Sequence, residues 1–397
     1  MSLNETPRAN QLHIGIFGKR NSGKSTLINA LTGHNTALVS DIAGTTTDPV
    51  YKTIEIYGIG PCVLIDTAGF DDSGYLGQLR VDKTRMAMAK TDIALIVCSD
   101  EEISQEMEWI NEFKTRKTPV IIIINKIDQI RNTDKIRNLI FEASKEEPIK
   151  ISAISMLGVE KIREEIIRKL PEDFDTKDIT GNLVTEGDIV LLVMPQDIQA
   201  PKGRLILPQV QTLRELLDKK CIVLSSTSDK FEEALASLSK PPKLIITDSQ
   251  VFQLVYEKKP IDSLLTSFSV LFAAHKGDID YFVKSAEAID KLTENSKVLI
   301  AEACTHVPLS EDIGRDKLPR MLRKKVGEGL AIVNVSGNDF PEDLSEYDLV
   351  IQCGACMFNR KYVMNRVEQV KKQKVPMTNY GVTIAFLTGI LDKITLS

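Results

Sequence analysis

The chain has 397 residues, of which 43% are hydrophobic and 26% charged, with a net charge of −5. That length predicts two or three domains with full cores, and the mildly acidic balance excludes the basic footprint of non-specific nucleic-acid binding. No run approaches the roughly 18 apolar residues that span a bilayer, and the opening MSLNETPRANQ lacks a signal-peptide core, so no membrane segment and a cytoplasmic location are expected.

Short β-branched runs alternate with amphipathic stretches along the whole chain, which predicts an α/β fold of three units with mainly parallel sheets. In the first block, strands are predicted at residues 12–17, 51–57, 62–66, 93–98, 120–125 and 149–152, with a closing helix over 159–170. The polar stretch PEDFDTKDITGN (171–182) has no apolar period and reads as a linker. A second block carries strands at 189–194, 221–225 and 243–247, a small βαβαβ unit without a phosphate loop whose expected use is self-association. Strands at 297–303, 331–335, 349–352 and 375–379 mark a third block. The expected domains are therefore 1–172, 173–262 and 263–397.

GKRNSGKS (18–25) follows the apolar strand LHIGIF and precedes the helical run TLINALTG, the context that a phosphate-binding P-loop requires. Gly18 and Gly23 let the backbone turn its N–H groups toward phosphates, Lys24 can pair with the β- and γ-phosphates, and Ser25 can offer its hydroxyl to Mg²⁺. Ser22 and Thr26 belong to the same phosphate-binding set. DTAG (66–69) ends a strand, so Asp66 can hold Mg²⁺ through water while the Gly69 amide senses the γ-phosphate.

NKID (125–128) selects guanine. The Asp128 carboxylate can accept both N1–H and N2–H₂ of that base, Asn125 would brace the loop, and the Lys126 stem would cover the base. Ser152 and Ala153 then supply a backbone amide for the guanine oxygen. Four signatures in this order predict a GTPase binding GTP or GDP with Mg²⁺. The residue after DTAG is Phe70, so the glutamine that orients water in Ras is absent and intrinsic hydrolysis should be slow.

These residues resemble the GTPase branch of MnmE, Era and Der. The segment DIAGTTTD (41–48) is similar to that branch's GTTRD element, which implies Thr46 as a Mg²⁺ ligand, with Thr47 standing where arginine is usual. Asn21 matches the P-loop asparagine that binds K⁺ in the potassium-activated members. The resemblance also implies Asp82 as the acid that positions water, completing a catalytic set with Lys24 and Thr46, although Asp71 and Asp72 compete for that role.

Cys62, Cys98 and Cys221 sit in apolar runs and are expected in the core. Cys304, Cys353 and Cys356 differ. Cys304 follows one predicted strand, and CGAC (353–356) follows another, so in an open parallel sheet all three can meet at the carboxyl edge. Thiolates there suit an iron–sulfur cluster, Zn²⁺ or a redox dithiol, with His306 or Glu302 near enough in sequence to add a ligand.

With CTH at 304–306 and CGAC after an intervening 46 residues, the whole chain resembles the HydF family of [FeFe]-hydrogenase maturation GTPases. What that resemblance implies is a K⁺-stimulated GTPase domain, a dimerisation domain giving a homodimer, and a [4Fe–4S] cluster on Cys304, Cys353 and Cys356 with an exchangeable fourth site. His306 is a candidate for that site, and Gln352 occupies the place where some members carry a histidine. The implied job is to assemble or deliver a di-iron precursor, with radical-SAM maturases and apo-[FeFe]-hydrogenase as partners. The competing expectation is a ribosome- or tRNA-associated GTPase with a structural zinc site, which the absence of a basic stripe disfavours.

Overall fold

The computed structural model describes residues 7–32, 50–67, 75–171, 174, 178–195, 205–303, 312–337 and 339–396, and the side chains of 75–82 are not among what is described. Thr46, Gly69, Asp71, Asp72, Cys304 and His306 lie outside the described residues. Asp82 falls within the helix Tyr75–Lys90, and nothing is assigned to its side chain. The chain divides into two compact units, Met1–Thr176 and Lys177–Ser397.

In the first unit, β1 (Leu12–Phe17), β2 (Val50–Ile56), β3 (Gly60–Asp66), β4 (Ile93–Cys98), β5 (Val120–Ile124) and β6 (Ile149–Lys150) form one sheet in the order β2-β3-β1-β4-β5-β6. Only the β2–β3 pair is antiparallel. Every residue of β1, β4 and β5 is buried, as expected for central parallel strands covered by helices on both faces. Leu27, Ile28 and Ile162 pack with Ile14 and Leu95 on one face, and Phe113, Trp109 and Ile140 pack with Phe17 and Ile96 on the other. The carboxyl ends of β1, β3, β5 and β6 bring the P-loop, Asp66, the 125–128 loop and Ser152 to one edge.

The second unit holds two four-stranded sheets. β7 (Ile189–Val193), β8 (Ile222–Ser226), β9 (Leu244–Thr247) and β10 (Leu264–Ser267) run parallel in the order β10-β9-β7-β8. β10 was not expected from sequence: LLTS is too short to show a period. It carries this sheet past residue 262, where the second block was expected to end.

β11 (Lys297–Glu302), β12 (Ala331–Ser336), β13 (Leu349–Gln352) and β14 (Met377–Asn379) form the other parallel sheet, in the order β12-β11-β13-β14. Leu191 and Ile245 of the first sheet share one continuous core with Val298 and Ile351 of the second, which is why the two sheets make a single compact unit.

Candidate functional site

The P-loop leaves β1 and enters the helix Lys24–Thr32. Gly23 has φ of +92°, and a Cβ there would lie 2.2 Å from the Asn125 side-chain nitrogen, so glycine is required twice over. Lys24 is buried, and its ammonium donates to the carbonyls of Gly18 at 2.6 Å and Lys19 at 2.8 Å. The loop thus gathers a buried cation under its turn. Ser22 is fully buried, and its hydroxyl has no hydrogen-bond partner among the described residues.

Asp66 receives the Ser25 hydroxyl at 3.5 Å, which brings the two expected Mg²⁺-side groups together. Burial pushes the Asp66 carboxyl up, against the opposing pull of Lys24, Lys52 and the Ser25 hydroxyl. Beside it, the Thr67 hydroxyl donates to the Ile16 carbonyl at 2.7 Å and clamps the end of β3 to β1.

Asn125 joins three loops. Its amide nitrogen donates to the Ser22 carbonyl at 3.0 Å, while its oxygen accepts from the Ala153 N–H at 3.1 Å. Lys126, at a φ of +63°, donates from its ammonium to the Asn21 carbonyl, so its stem lies along the loop. Asp128 is exposed, and the hydrogen bond from Ser152 is the first cause holding its carboxyl below the usual range. A carboxylate kept ionised at the mouth of this site suits the paired donors of guanine. Lys19, within the P-loop, reaches the buried Glu106 at 3.7 Å and anchors the loop to the helix Ser104–Thr115.

In the second unit, the CGAC turn leaves β13, whose neighbours are β11 and β14. Cys353 follows that strand directly, and its N–H donates to the Ala301 carbonyl at 3.0 Å. Its sulfur accepts from the Ala303 N–H at 3.0 Å and the Ala355 N–H at 3.4 Å. The register of β11 against β13 thus sets Ala303, at the end of β11, beside the start of the CGAC turn. A Cβ on Gly354 would meet nothing within 4 Å among the described residues. Burial pushes the Cys353 thiol up to about 11, unlike the lowered thiols of redox dithiols.

Three polar side chains that the sequence did not single out hold this turn. The buried Lys276 ammonium donates to the carbonyls of Phe358 at 2.8 Å and of Ala355 and Cys356 at 3.3 Å each. Asn379 donates to the carbonyls of Gln352 at 3.3 Å and Cys353 at 3.4 Å. Arg366 donates to the Gln352 side-chain oxygen at 2.9 Å and to the Gly337 carbonyl at 2.7 Å, lying over the rings of Phe340, Phe358 and Tyr362. Glu302, weighed as a ligand from sequence, instead accepts from Arg315 and Ser336 at 3.2 Å each.

Residues 179–277 match the hydrogen maturase F dimerization domain and residues 280–396 its tetramerization domain, together more than half of the chain. The chain belongs to the hydrogen maturase F family. Residues 13–126 match the 50S ribosome-binding GTPase model, so this maturase carries a GTPase domain of the kind that binds GTP and GDP with Mg²⁺.

Curated relatives include tRNA modification GTPases MnmE. That of Ligilactobacillus salivarius is 32% identical over 47% of this chain and 40% of its own length. That of Aquifex aeolicus is 35% identical over 40% of this chain and 34% of its own length. The chain thus spans less than half the length of these relatives, whose tRNA role remains theirs. Among solved structures, Era of Aquifex aeolicus covers 57% of this chain and 98% of its own at 22% identity and a TM-score of 0.33. The FeoB G domain of T. maritima covers 41% and 99% at 22% identity and a TM-score of 0.33.

Within this maturase, the fold brings together Asn21, Ser22, Gly23, Lys24, Asn125, Lys126 and Ala153, with Ser25 against Asp66 and Asp128 against Ser152. Cys62, Cys98 and Cys221 are buried, as expected of core cysteines. Among the described residues no three His, Cys, Asp or Glu side chains converge as a metal group, and Cys304 and His306 are not among those searched. No helix of the described residues is long and apolar enough to cross a membrane. Lys276, Arg366 and Asn379 gave no local signal in the sequence, because a lone Lys, Arg or Asn is ordinarily exposed and its burial against this turn is set by distant packing.

Proposed function

We propose that this maturase is a K⁺-stimulated GTPase that carries a [4Fe–4S] cluster on Cys304, Cys353 and Cys356 and assembles or delivers the di-iron precursor of the [FeFe]-hydrogenase active site. The observation that carries the reading is the CGAC turn at the carboxyl end of β13, inside the hydrogen maturase F segment, with the sulfur of Cys353 accepting two backbone N–H groups. N–H donors to a thiolate sulfur are what iron–sulfur sites use to stabilise their charge. The cluster supplies the docking iron; the protein supplies three thiolates, with His306 proposed at the exchangeable fourth position.

In the first unit, Lys24 neutralises phosphate charge, Ser25 with Thr46 holds Mg²⁺ directly and Asp66 through water, and Asp128 selects guanine. Asn21 holds K⁺ in place of an arginine finger, and Asp82 positions the attacking water. The proposed domains are 1–172 for the GTPase, 173–262 for dimerisation and 263–397 for the cluster. A cytoplasmic homodimer working with radical-SAM maturases and apo-hydrogenase follows from the same reading.

The test is iron and sulfide content after anaerobic reconstitution. Wild type should be brown, with four iron atoms per chain for a [4Fe–4S] cluster. Cys304→Ser, Cys353→Ser and Cys356→Ser should each lose the cluster while hydrolysing GTP normally. A colourless wild type containing one zinc would reject the cluster and favour a structural metal site.

A further inference from the structure

Lys276 ends the helix Phe268–Lys276, in the segment matching the dimerization domain, yet its side chain is spent on the cysteine turn of the tetramerization segment. Only 2% of its surface is exposed. Among the described residues its hydrogen bonds go to backbone carbonyls of the 355–358 stretch, and its ammonium lies 5.7 Å from the centre of the Phe272 ring. Among the described residues no carboxylate pairs with it. Carbonyl dipoles solvate an ammonium, but a full charge removed from water is expensive unless an anion lies nearby.

The turn beneath it is strained. Ala355, with φ of +50°, occupies the left-handed region that an alanine enters only at an energetic cost. Such strain persists only where surrounding contacts over-determine it, and it concentrates at functional sites. Here the Ala355 carbonyl accepts from Lys276 and its N–H donates to Cys353 Sγ, so one ammonium and one sulfur hold the same residue from opposite ends.

An iron–sulfur cluster held by thiolates is an anion, and it gains one more negative charge when it accepts an electron. We propose that Lys276 is the built-in counter-charge of the cluster on Cys353 and Cys356, a positioning residue that shapes the CGAC turn and raises the cluster's reduction potential. This inference rests on the cluster reading above. The other buried cation of this unit, Arg366, bonds the Gln352 side chain just before the turn together with Gly337 and three aromatic rings, whereas the Lys276 ammonium bonds the backbone carbonyls of Ala355 and Cys356 within the turn itself. A positive charge fixed beside the cluster favours the reduced form, because net charge and local hydrogen bonding set the potential of such centres.

The experiment is a dithionite titration of reconstituted full-length protein, in which each cluster takes one electron from dithionite, followed by the EPR signal of the reduced form. At the wild-type midpoint, Lys276→Met should show about a tenfold lower reduced-to-oxidised ratio, equivalent to about 59 mV for one electron. Lys276→Arg, which keeps the charge, should stay near wild type. An unchanged midpoint in a Lys276→Met protein that still holds its cluster would overturn this inference and leave the cluster reading intact. If Lys276→Met loses the cluster, Lys276→Arg decides: retained iron and potential support the counter-charge, and loss in both variants overturns it in favour of shape alone. A wild type that takes up no iron would remove both readings.

Discussion

The side-chain amide of Asn125 donates to the carbonyl of Ser22 at 3.0 Å across 103 residues of sequence. That bond ties the 125–128 loop to the P-loop, and the same side chain accepts from Ala153, so one brace would serve the proposed base and phosphate contacts together. Asn125→Ala removes both bonds. GDP affinity should fall about 30-fold, the equivalent of about 2 kcal/mol. Gly23→Ala should do at least as much, since its methyl group would occupy the position of the Asn125 nitrogen. Calorimetric titration with GDP checks both, and wild-type affinity in Asn125→Ala would show the brace to be incidental.

With Asp128 proposed as the guanine-selecting carboxylate, the sign of the pH dependence follows from Ser152. The Ser152 hydrogen bond holds the folded carboxyl below its ordinary value, so the ionised form survives as pH falls through the usual carboxylate range and is lost only beneath it. The preference for GDP over ADP should therefore stay level from about pH 8 to about pH 5. Asp128→Asn should reduce that preference by about 10- to 100-fold, the value of charge-assisted bonds. Competition binding at several pH values provides the measurement; selectivity already fading near pH 6 would contradict the assignment.

Asn21 adopts a φ of +62°, a conformation that asparagine tolerates better than most residues. With K⁺ held there, GTP hydrolysis should be about tenfold or more faster in KCl than in NaCl, by analogy with the cation an arginine finger supplies. Asn21→Ala should erase the difference between the two salts. Equal wild-type rates in both would dismiss the potassium role.

Arg366 is 3% exposed and bonds Gln352 and Gly337 while lying over three aromatic rings. Arg366→Met strands those acceptors and opens the stack, and should destabilise the second unit by about 3 kcal/mol. Arg366→Lys should recover little, because an ammonium cannot make the same planar fork. Urea unfolding followed by a probe in the second unit is the check.

The sequence alone determined the GTPase motifs and their order, because each is a contiguous run whose glycine, lysine or carboxylate chemistry is dictated by the phosphate or base it meets. It also placed Cys353 directly after a strand, since β13 is an apolar run whose limit is sharp. Only the tertiary structure decided which distant groups close around those motifs. β10 joined the second sheet through pairing with β9 that LLTS does not announce. Asn125 became a brace through loops brought together by the β1, β5 and β6 edge. Lys276 acquired its place beneath CGAC because the packing of its helix, rather than any local pattern, buries it against a turn about 80 residues away. Local chemistry is written in runs of residues, whereas burial and long-range hydrogen bonding exist only once the sheets have packed.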